Sequence, residues 1–305
     1  PWWRIVGYMV ASSGMPSDIP DVINVGLMGL GVVGTGVAAH LLDRWSSLAD
    51  VAGRSVKLKK VLVRDLALPR DIDLPSGVLT TNAEDILSDP EIHIVVEVMG
   101  GTNPAEGYLK QSLAAGKHVV TANKEVMAKS GPELLALARQ NGASLLFEAS
   151  VGGGIPIVGC LMNELAANDI RSIRSIINGT TNYILTRMAH ERTSFEQALG
   201  EAQELGYAEA DPTNDVEGID AAYKLAILAT LAFRTRVAAQ DVYREGIARL
   251  IPNDFRYAHE LGYVIKLMAI ARREGDRLGA RVHPVLIPQN APLTKVDGVL
   301  NAVGV

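Results

Sequence analysis

One cysteine, Cys160, in a chain of 305 residues excludes a disulfide scaffold and any multi-cysteine zinc or iron–sulfur site. Its ordinary role is that of a small buried hydrophobe. A basic surplus is also missing. Twenty-nine Lys and Arg against 34 Asp and Glu give a formal net charge of −5, so the composition offers nothing to nucleic acid or an anionic membrane. No internal repeat or low-complexity tract stands out. One uncharged run, residues 22–42, has the 21 residues a membrane span needs, but five glycines lie within it. Glycine at that density suits a strand–turn–helix better than a membrane helix.

What is present is apolar material for a sizeable core, with 48% hydrophobic and 21% charged residues. At about 150 residues per domain, the length predicts two domains in a cytoplasmic globular protein. Residues 1–20 open on proline rather than an initiator methionine, hold only a weak signal-peptide pattern, and read as an irregular extension.

From Val22 to Ser150, strands alternate with helices. Strands are predicted at Val22–Met28, Leu58–Val63, Ile92–Met99, His118–Ala122 and Ser144–Glu148, and helices at Val32–Arg44, Pro104–Ala115 and Pro132–Gln140. That alternation predicts an α/β, Rossmann-type doubly wound parallel sheet over residues 21–150. After the glycines at 152–154 the texture changes to helices at Pro156–Ala166, Thr181–His190, Ser194–Leu205 and Asp215–Ala232. Strands follow at Ile170–Ile177, Val264–Arg272 and Ala280–Ile287, giving a second, α+β domain over residues 151–305. The last run, VDGVLNAVGV, reads as an interrupted strand.

Gly29-Leu30-Gly31-Val32-Val33-Gly34 is a G-x-G-x-x-G with an apolar strand before it and an apolar helix after it. In a dinucleotide fold the first glycine permits the tight turn and the second lets backbone approach a pyrophosphate. The third lets strand and helix pack closely. Arg64 and Asp65 end the second strand some 30 residues past Gly34, with residues 50–55 expected as a loop insertion. Arg64 suits a 2′-phosphate and Asp65 a 2′-hydroxyl; with Lys57, Lys59 and Lys60 nearby, NADP is favoured over NAD.

Lys124 follows a strand at the sheet edge where such folds hold ligands. Glu148 lies beside the backbone of Val151, Gly153 and Ile155, a set that reads equally as a hard-cation site or as an interdomain hinge. The segment from Gly206 to Lys224 crowds Glu209, Asp215 and other acids and amides into a loop before a helix. Asp220 and Lys224, at i and i+4 on an otherwise apolar helix, are placed to face a site rather than solvent.

Together GLGVVGTGV, VVEVMGGTNPA, HVVTANKEVMA, EASVGGGIPI, NGTTNYIL and GYAEADPTNDVEGIDAAYK resemble the homoserine dehydrogenase family in order and spacing, over residues 22–305. The resemblance implies NAD(P)-dependent interconversion of L-aspartate 4-semialdehyde and L-homoserine, in threonine, methionine and isoleucine biosynthesis. It implies phosphate contacts at Gly29, Leu30, Gly31, Val32, Val33 and Gly34, a 2′-phosphate reader at Arg64, and Gly206 and Lys124 near the cofactor. Lys224 would be the proton donor, with Lys124 and Asp220 beside it, and Glu209, Asp215 and Asp220 would hold the substrate. Glu148 with the backbone of Val151, Gly153 and Ile155 would hold a monovalent cation, sodium in similar enzymes, and the second domain would form a homodimer. In that family further strands and a helix follow the position of Val305, with a glycine-rich cofactor contact.

Two rival readings carry different chemistry. A dehydrogenase working through a cysteine thioester needs an activated cysteine near a histidine, and Cys160 has no histidine close in sequence. A non-catalytic dinucleotide-binding relative would bind cofactor without turnover; the four residues Lys124, Glu209, Asp220 and Lys224 speak against it.

Overall fold

The computed structural model describes residues 20–305; apart from Pro20, the expected N-terminal extension lies outside them. The strand β1 (Val22–Met28) has the bounds that the apolar run predicts, and its last four residues are buried. The glycine turn then leads into α1 (Val32–Asp43). The uncharged run is thus strand, turn and helix. Among the described residues no helix is long and apolar enough to cross a membrane.

The spacing before Arg64 has a different origin from the expected loop. A helix, α2 (Trp45–Ala52), fills it, ended by Gly53 at φ 67°, a left-handed conformation that glycine adopts without steric cost. β2 (Ser55–Leu62) follows, so Arg64 lies just past the strand end. The chain continues through β3 (Leu79–Thr80), α3 (Glu84–Leu87), β4 (Ile92–Glu97), α4 (Ala105–Ala114), β5 (His118–Thr121), α5 (Lys124–Gln140) and β6 (Leu145–Leu146). The six strands form one sheet in the order β3-β2-β1-β4-β5-β6, parallel in the pairs β1–β2, β1–β4 and β2–β3. This is the doubly wound order with the switch beside β1, where open sheets of this kind place their ligands.

By packing, the described residues fall into two compact units. The first runs to Met99 and takes in Lys117–Val119; the second comprises Gly100–Gly116 and Val120–Val305. Sheet membership changes later in the chain, between β6 and β7 (Ser172–Ile176).

Within the second unit a single helical turn, α6 (Ile157–Gly159), precedes β7. After β7 come α7 (Gly179–Glu191), α8 (Phe195–Glu204), α9 (Thr213–Val216), α10 (Ile219–Phe233), β8 (Tyr243–Arg244) and α11 (Pro252–Glu260). A long hairpin of β9 (Tyr263–Glu274) and β10 (Arg277–Pro288), then β11 (Ala302–Gly304), completes the sheet β11-β7-β9-β10-β8. β8 and α11 have no counterpart in the sequence reading, whereas β11 lies in the final run that reads as a strand. Ile176, Met268 and Ile287 form a core cluster on this sheet. The helix α10 buries Ala221, Ala222, Leu225, Ala226, Leu228 and Ala229.

Four sequence expectations are corrected. The helix expected from Pro132 begins at Lys124, because the Asn123 side chain accepts the Val126 N–H and caps it there; Pro132 lies inside. The strand expected over Ser144–Glu148 shrinks to two residues, and Glu148 turns into a 3-10 turn with Ser150. The helix expected at Pro156–Ala166 is one α turn and then a π turn at Cys160–Glu164, closed by Leu165 N–H to the Cys160 carbonyl at 2.8 Å; Cys160 is half-buried rather than buried. The helix expected from Asp215 to Ala232 breaks at Gly218, whose φ of 72° separates α9 from α10.

That break sets the entry of α10 and hence the direction of Asp220. A Cβ at Gly218 would also lie 3.2 Å from Val282 Cγ1. Gly218→Ala should therefore destabilise the chain by about 1–2 kcal/mol in urea unfolding, and an unchanged unfolding midpoint would show that the break is not conformationally demanding.

Candidate active site

In the first unit the three glycines behave as three different constraints. Gly29 has φ 101°, and a Cβ there would meet the Val98 backbone at 3.0 Å. At Gly34 a Cβ would sit 2.1 Å from the Gly29 carbonyl oxygen, so only glycine lets helix and turn close. Around Gly31 nothing lies within 4 Å, which leaves open space over the turn. No side chain caps α1, and Val32 is 94% exposed at its first position. Val33 is exposed as well, and Leu30 is half-buried. An uncapped helix N-terminus with open backbone before it fits a dinucleotide pyrophosphate. The residues present therefore suit the cofactor that the sequence implies.

Beyond β2, Arg64 is exposed. The Asp65 carboxylate accepts the Ala67 N–H at 2.8 Å and so folds into its own loop. Of the neighbouring lysines, Lys59 pairs with Asp89 and Glu91, each at 2.7 Å, and Lys60 donates to the Gly77 carbonyl. Those two lysines are occupied within the strand's own surroundings.

In the second unit three helix N-termini meet. Lys124 is the first residue of α5, Asp220 lies in the first turn of α10, and Asn178 caps α7. Contacts between α5 and α10 bring Lys124 onto Asp220. Lys124 Nζ lies 2.8 Å from Asp220 Oδ1, and Lys224 Nζ lies 2.7 Å from Asp220 Oδ2. Lys224 also donates to the Ile177 carbonyl at 3.0 Å. Asn178 Nδ2 donates to Asp220 Oδ2 at 2.9 Å and to Asp215 Oδ1 at 2.7 Å. Asp220 is 3% exposed. The expected pairing of Asp220 with Lys224 is present, and Lys124 and Asp215 join the same cluster.

Burial acts to raise the Asp220 pKa, but the Lys224 and Lys124 ammoniums outweigh it and hold the carboxyl below the usual aspartate range. For Lys124, burial works downward and is outweighed by the Asp220 carboxylate, with Asp215 and Glu125 adding to it; its pKa stands above the ordinary lysine value. Asp220 therefore rests as a carboxylate and Lys124 as an ammonium.

The remaining sequence candidates lie outside this cluster's hydrogen bonds. Glu209 is exposed, and its backbone carbonyl accepts from Gln203. Gly206, at φ 74°, ends α8 in the left-handed conformation. Glu148 accepts the Val158 N–H at 2.7 Å and the Gly159 N–H at 2.8 Å, anchoring its carboxylate on the α6 turn. Val151 is buried, Gly153 exposed at φ 60°, and the Ile155 carbonyl accepts the Ile157 N–H. No group of three His, Cys, Asp or Glu able to hold a metal occurs among the described residues.

Sequence reasoning assigned no role to Asn178, to Thr180, whose hydroxyl donates to the Tyr207 carbonyl at 2.6 Å, or to the buried Lys266, which bonds Asn182 and Asp297. Only the capping pattern of an asparagine before a helix could have pointed to Asn178.

Neutralising Asp220 strands two ammoniums. Asp220→Asn should be less stable than the parent at neutral pH. The folded Asp220 pKa lies below the unfolded one, so its contribution is full above the unfolded value and lost as pH falls through the folded value. The stability gap should therefore shrink in urea unfolding at successive steps below about pH 4. Lys124, shifted upward, acts in the alkaline direction: its contribution is full below the unfolded lysine value and lost as pH rises through the folded one. A constant gap through the acid range would contradict the assignment.

Two family models cover most of the chain: the homoserine dehydrogenase NAD binding domain matches residues 29–148, and homoserine dehydrogenase matches residues 156–305. The homoserine dehydrogenase of Bacillus subtilis is 48% identical over 281 residues, 92% of this chain and 65% of that protein. That of Synechocystis is 49% identical over 290 residues, with the same coverage of 92% and 65%. The chain thus spans just under two thirds of the length of these relatives. Among solved structures, a homoserine dehydrogenase from Thiobacillus denitrificans superposes with a TM-score of 0.86 at 48% identity, covering 92% of this chain and 65% of that one. A hyperthermophilic archaeal homoserine dehydrogenase in complex with NADPH gives a TM-score of 0.75 at 26% identity, covering 92% and 87%. With its dinucleotide turn and its lysine–aspartate–lysine cluster, the chain belongs to the homoserine dehydrogenase family.

Proposed function

We propose that this chain carries the homoserine dehydrogenase reaction of amino-acid biosynthesis, leading toward threonine, methionine and isoleucine. In it the carbinol carbon of L-homoserine gives up a hydride and its hydroxyl a proton, leaving L-aspartate 4-semialdehyde. The bridge of Lys124 and Lys224 on one buried Asp220, in a chain of this family, carries the reading. The bound dinucleotide supplies the hydride acceptor, or the donor in the reverse direction.

The chain's own residues supply the proton chemistry. Lys224 Nζ donates to Asp220 and to the Ile177 carbonyl, which leaves its third N–H for a substrate oxygen. As hydride reaches the aldehyde carbon, negative charge grows on that oxygen; the ammonium stabilises it and delivers a proton. In the oxidative direction the same amine acts deprotonated, as base. Asp215 and the exposed Glu209 offer carboxylates to the substrate ammonium, and Lys124 offers its charge to an anionic group.

NADP is the proposed cofactor. Arg64 stands exposed past β2, whereas the Asp65 carboxylate is engaged by its own loop, which weakens the NAD alternative. Sodium is proposed at Glu148 with the carbonyls of Val151, Gly153 and Ile155, a set of oxygens that suits a hard cation. A homodimer through the second sheet is supported by an apolar groove of about 510 Å³ lined by Met268, Ile270, Val285, Leu286, Ile287 and Leu293. The single cysteine and the acidic balance fit a cytoplasmic enzyme that meets small molecules rather than nucleic acid or membrane.

The test is homoserine-dependent reduction of NADP and of NAD, followed by nicotinamide absorbance. Lys224→Ala should lower kcat by about a hundredfold or more while dinucleotide affinity holds; turnover within about tenfold of the parent would remove Lys224 from its role. Glu209→Ala should instead raise KM for homoserine. Binding of dinucleotide without any turnover by the parent would favour a non-catalytic relative. Independently, Arg64→Ala should weaken NADP by about tenfold or more and leave NAD unaffected, so equal effects on both cofactors would remove Arg64 as the 2′-phosphate reader.

A further inference from the structure

Asn178 is 5% exposed between β7 and α7, and its side-chain amide fills all of its hydrogen-bonding capacity. Its Oδ1 accepts the Thr181 N–H and the Thr181 hydroxyl, each at 2.8 Å. Its Nδ2 donates at 2.7 Å to Asp215 Oδ1 and at 2.9 Å to Asp220 Oδ2. The orientation of the amide is forced, since carboxylates only accept and a backbone N–H only donates. Capping α7 uses the oxygen alone, and serine or aspartate would cap as well. Capping therefore leaves the two N–H bonds to carboxylates unexplained.

Those two carboxylates stand on either side of the Gly218 break, Asp215 on α9 and Asp220 on α10. Two like charges repel, and a break at a positive-φ glycine leaves their separation to be set from outside. One amide, fixed by its own oxygen to the start of α7, supplies that constraint. It holds Asp215 by Oδ1, and Asp215 Oδ2 carries no hydrogen bond among the described residues. It also fills the remaining position on Asp220 Oδ2 beside Lys224, fixing the carboxylate on which both lysines rest.

We propose that Asn178 is a positioning residue: its amide sets the substrate-facing carboxylate of Asp215 and the lysine-binding carboxylate of Asp220 in one fixed arrangement, tied to α7. This inference rests on the proposed homoserine reaction, with Lys224 moving the proton and Asp215 meeting the substrate ammonium.

The test compares Asn178→Ser and Asn178→Asp with the parent chain. Both variants keep a capping oxygen; the uncharged Asn178→Ser should melt within about 4 °C of the parent, whereas the added carboxylate of Asn178→Asp should lower its melting temperature further. A role limited to capping would leave both kinetically like the parent. Positioning instead predicts a fall in kcat of about tenfold or more and a severalfold rise in KM for homoserine, with KM for the dinucleotide unchanged. Parental kcat and homoserine KM in either variant would overturn the inference.

A second readout needs no turnover: acylation of Lys224 and Lys124 relative to exposed Lys57, read by peptide mass spectrometry. Lys224 faces Asp220 and the Ile177 carbonyl; Lys124 faces Asp220, with Asp215 and Glu125 nearby. In Asn178→Asp a further carboxylate stands against Asp220 and should slow acylation of Lys224 by about threefold or more. Unchanged acylation would overturn the proposed contact. A parent that binds dinucleotide but never oxidises homoserine would fail the functional reading alone, and the acylation would still decide the role of Asn178.

Discussion

A carboxylate as deeply buried as that of Asp220 is costly unless charge and hydrogen bonds surround it, and a single ion pair seldom offsets the loss of hydration. Here two ammoniums and one amide share the carboxylate, occupying both of its oxygens. The backbone around the second unit's site is arranged to deliver those groups. Asn123 caps α5 so that Lys124 stands at its first position, and Gly218 turns the chain so that α10 opens with Asp220. A lysine at a helix N-terminus opposes the helix dipole, whereas an aspartate there is favoured by it. The bond between the two lets one helix end compensate the other.

The compensation also gives the site its rigidity. Each lysine has its charge anchored by a group that is itself held from a second direction, so in the proposed reaction neither ammonium would need to reorganise as a substrate oxygen develops charge. The dinucleotide turn follows a complementary logic. Gly34 is excluded from carrying a side chain by the Gly29 carbonyl, while at Gly31 a side chain would have room and would fill the space a ligand needs. One glycine preserves the fold of the turn, and the other keeps it open.

Much of this architecture was legible in the sequence, and the misses share a cause. β1 was read to the residue because an apolar run met a glycine turn. The i, i+4 placement of Asp220 and Lys224 was legible because helix periodicity alone brings them together. Errors arose where two local signals competed. Pro132 looked like a helix start, although Asn123 had already capped that helix; Gly218 looked tolerable within a helix, although its positive φ ends one and begins another. The strands β9 and β10 run past their expected ends into polar residues such as Glu274 and Arg277, because ladder pairing extends the hairpin where hydrophobicity does not. Lys124 on Asp220, and Asn178 on two aspartates, join residues remote in sequence. Only the packing of α5, α7 and α10 brings them together.

The anchored charges bear on the order of events in the proposed chemistry. An ammonium held by a buried carboxylate can stabilise negative charge on a nearby oxygen, but the same carboxylate makes it a weaker acid. In the proposed reaction that bond would favour stabilising the oxygen's growing charge over early release of the proton, and transfer would follow as the charge builds.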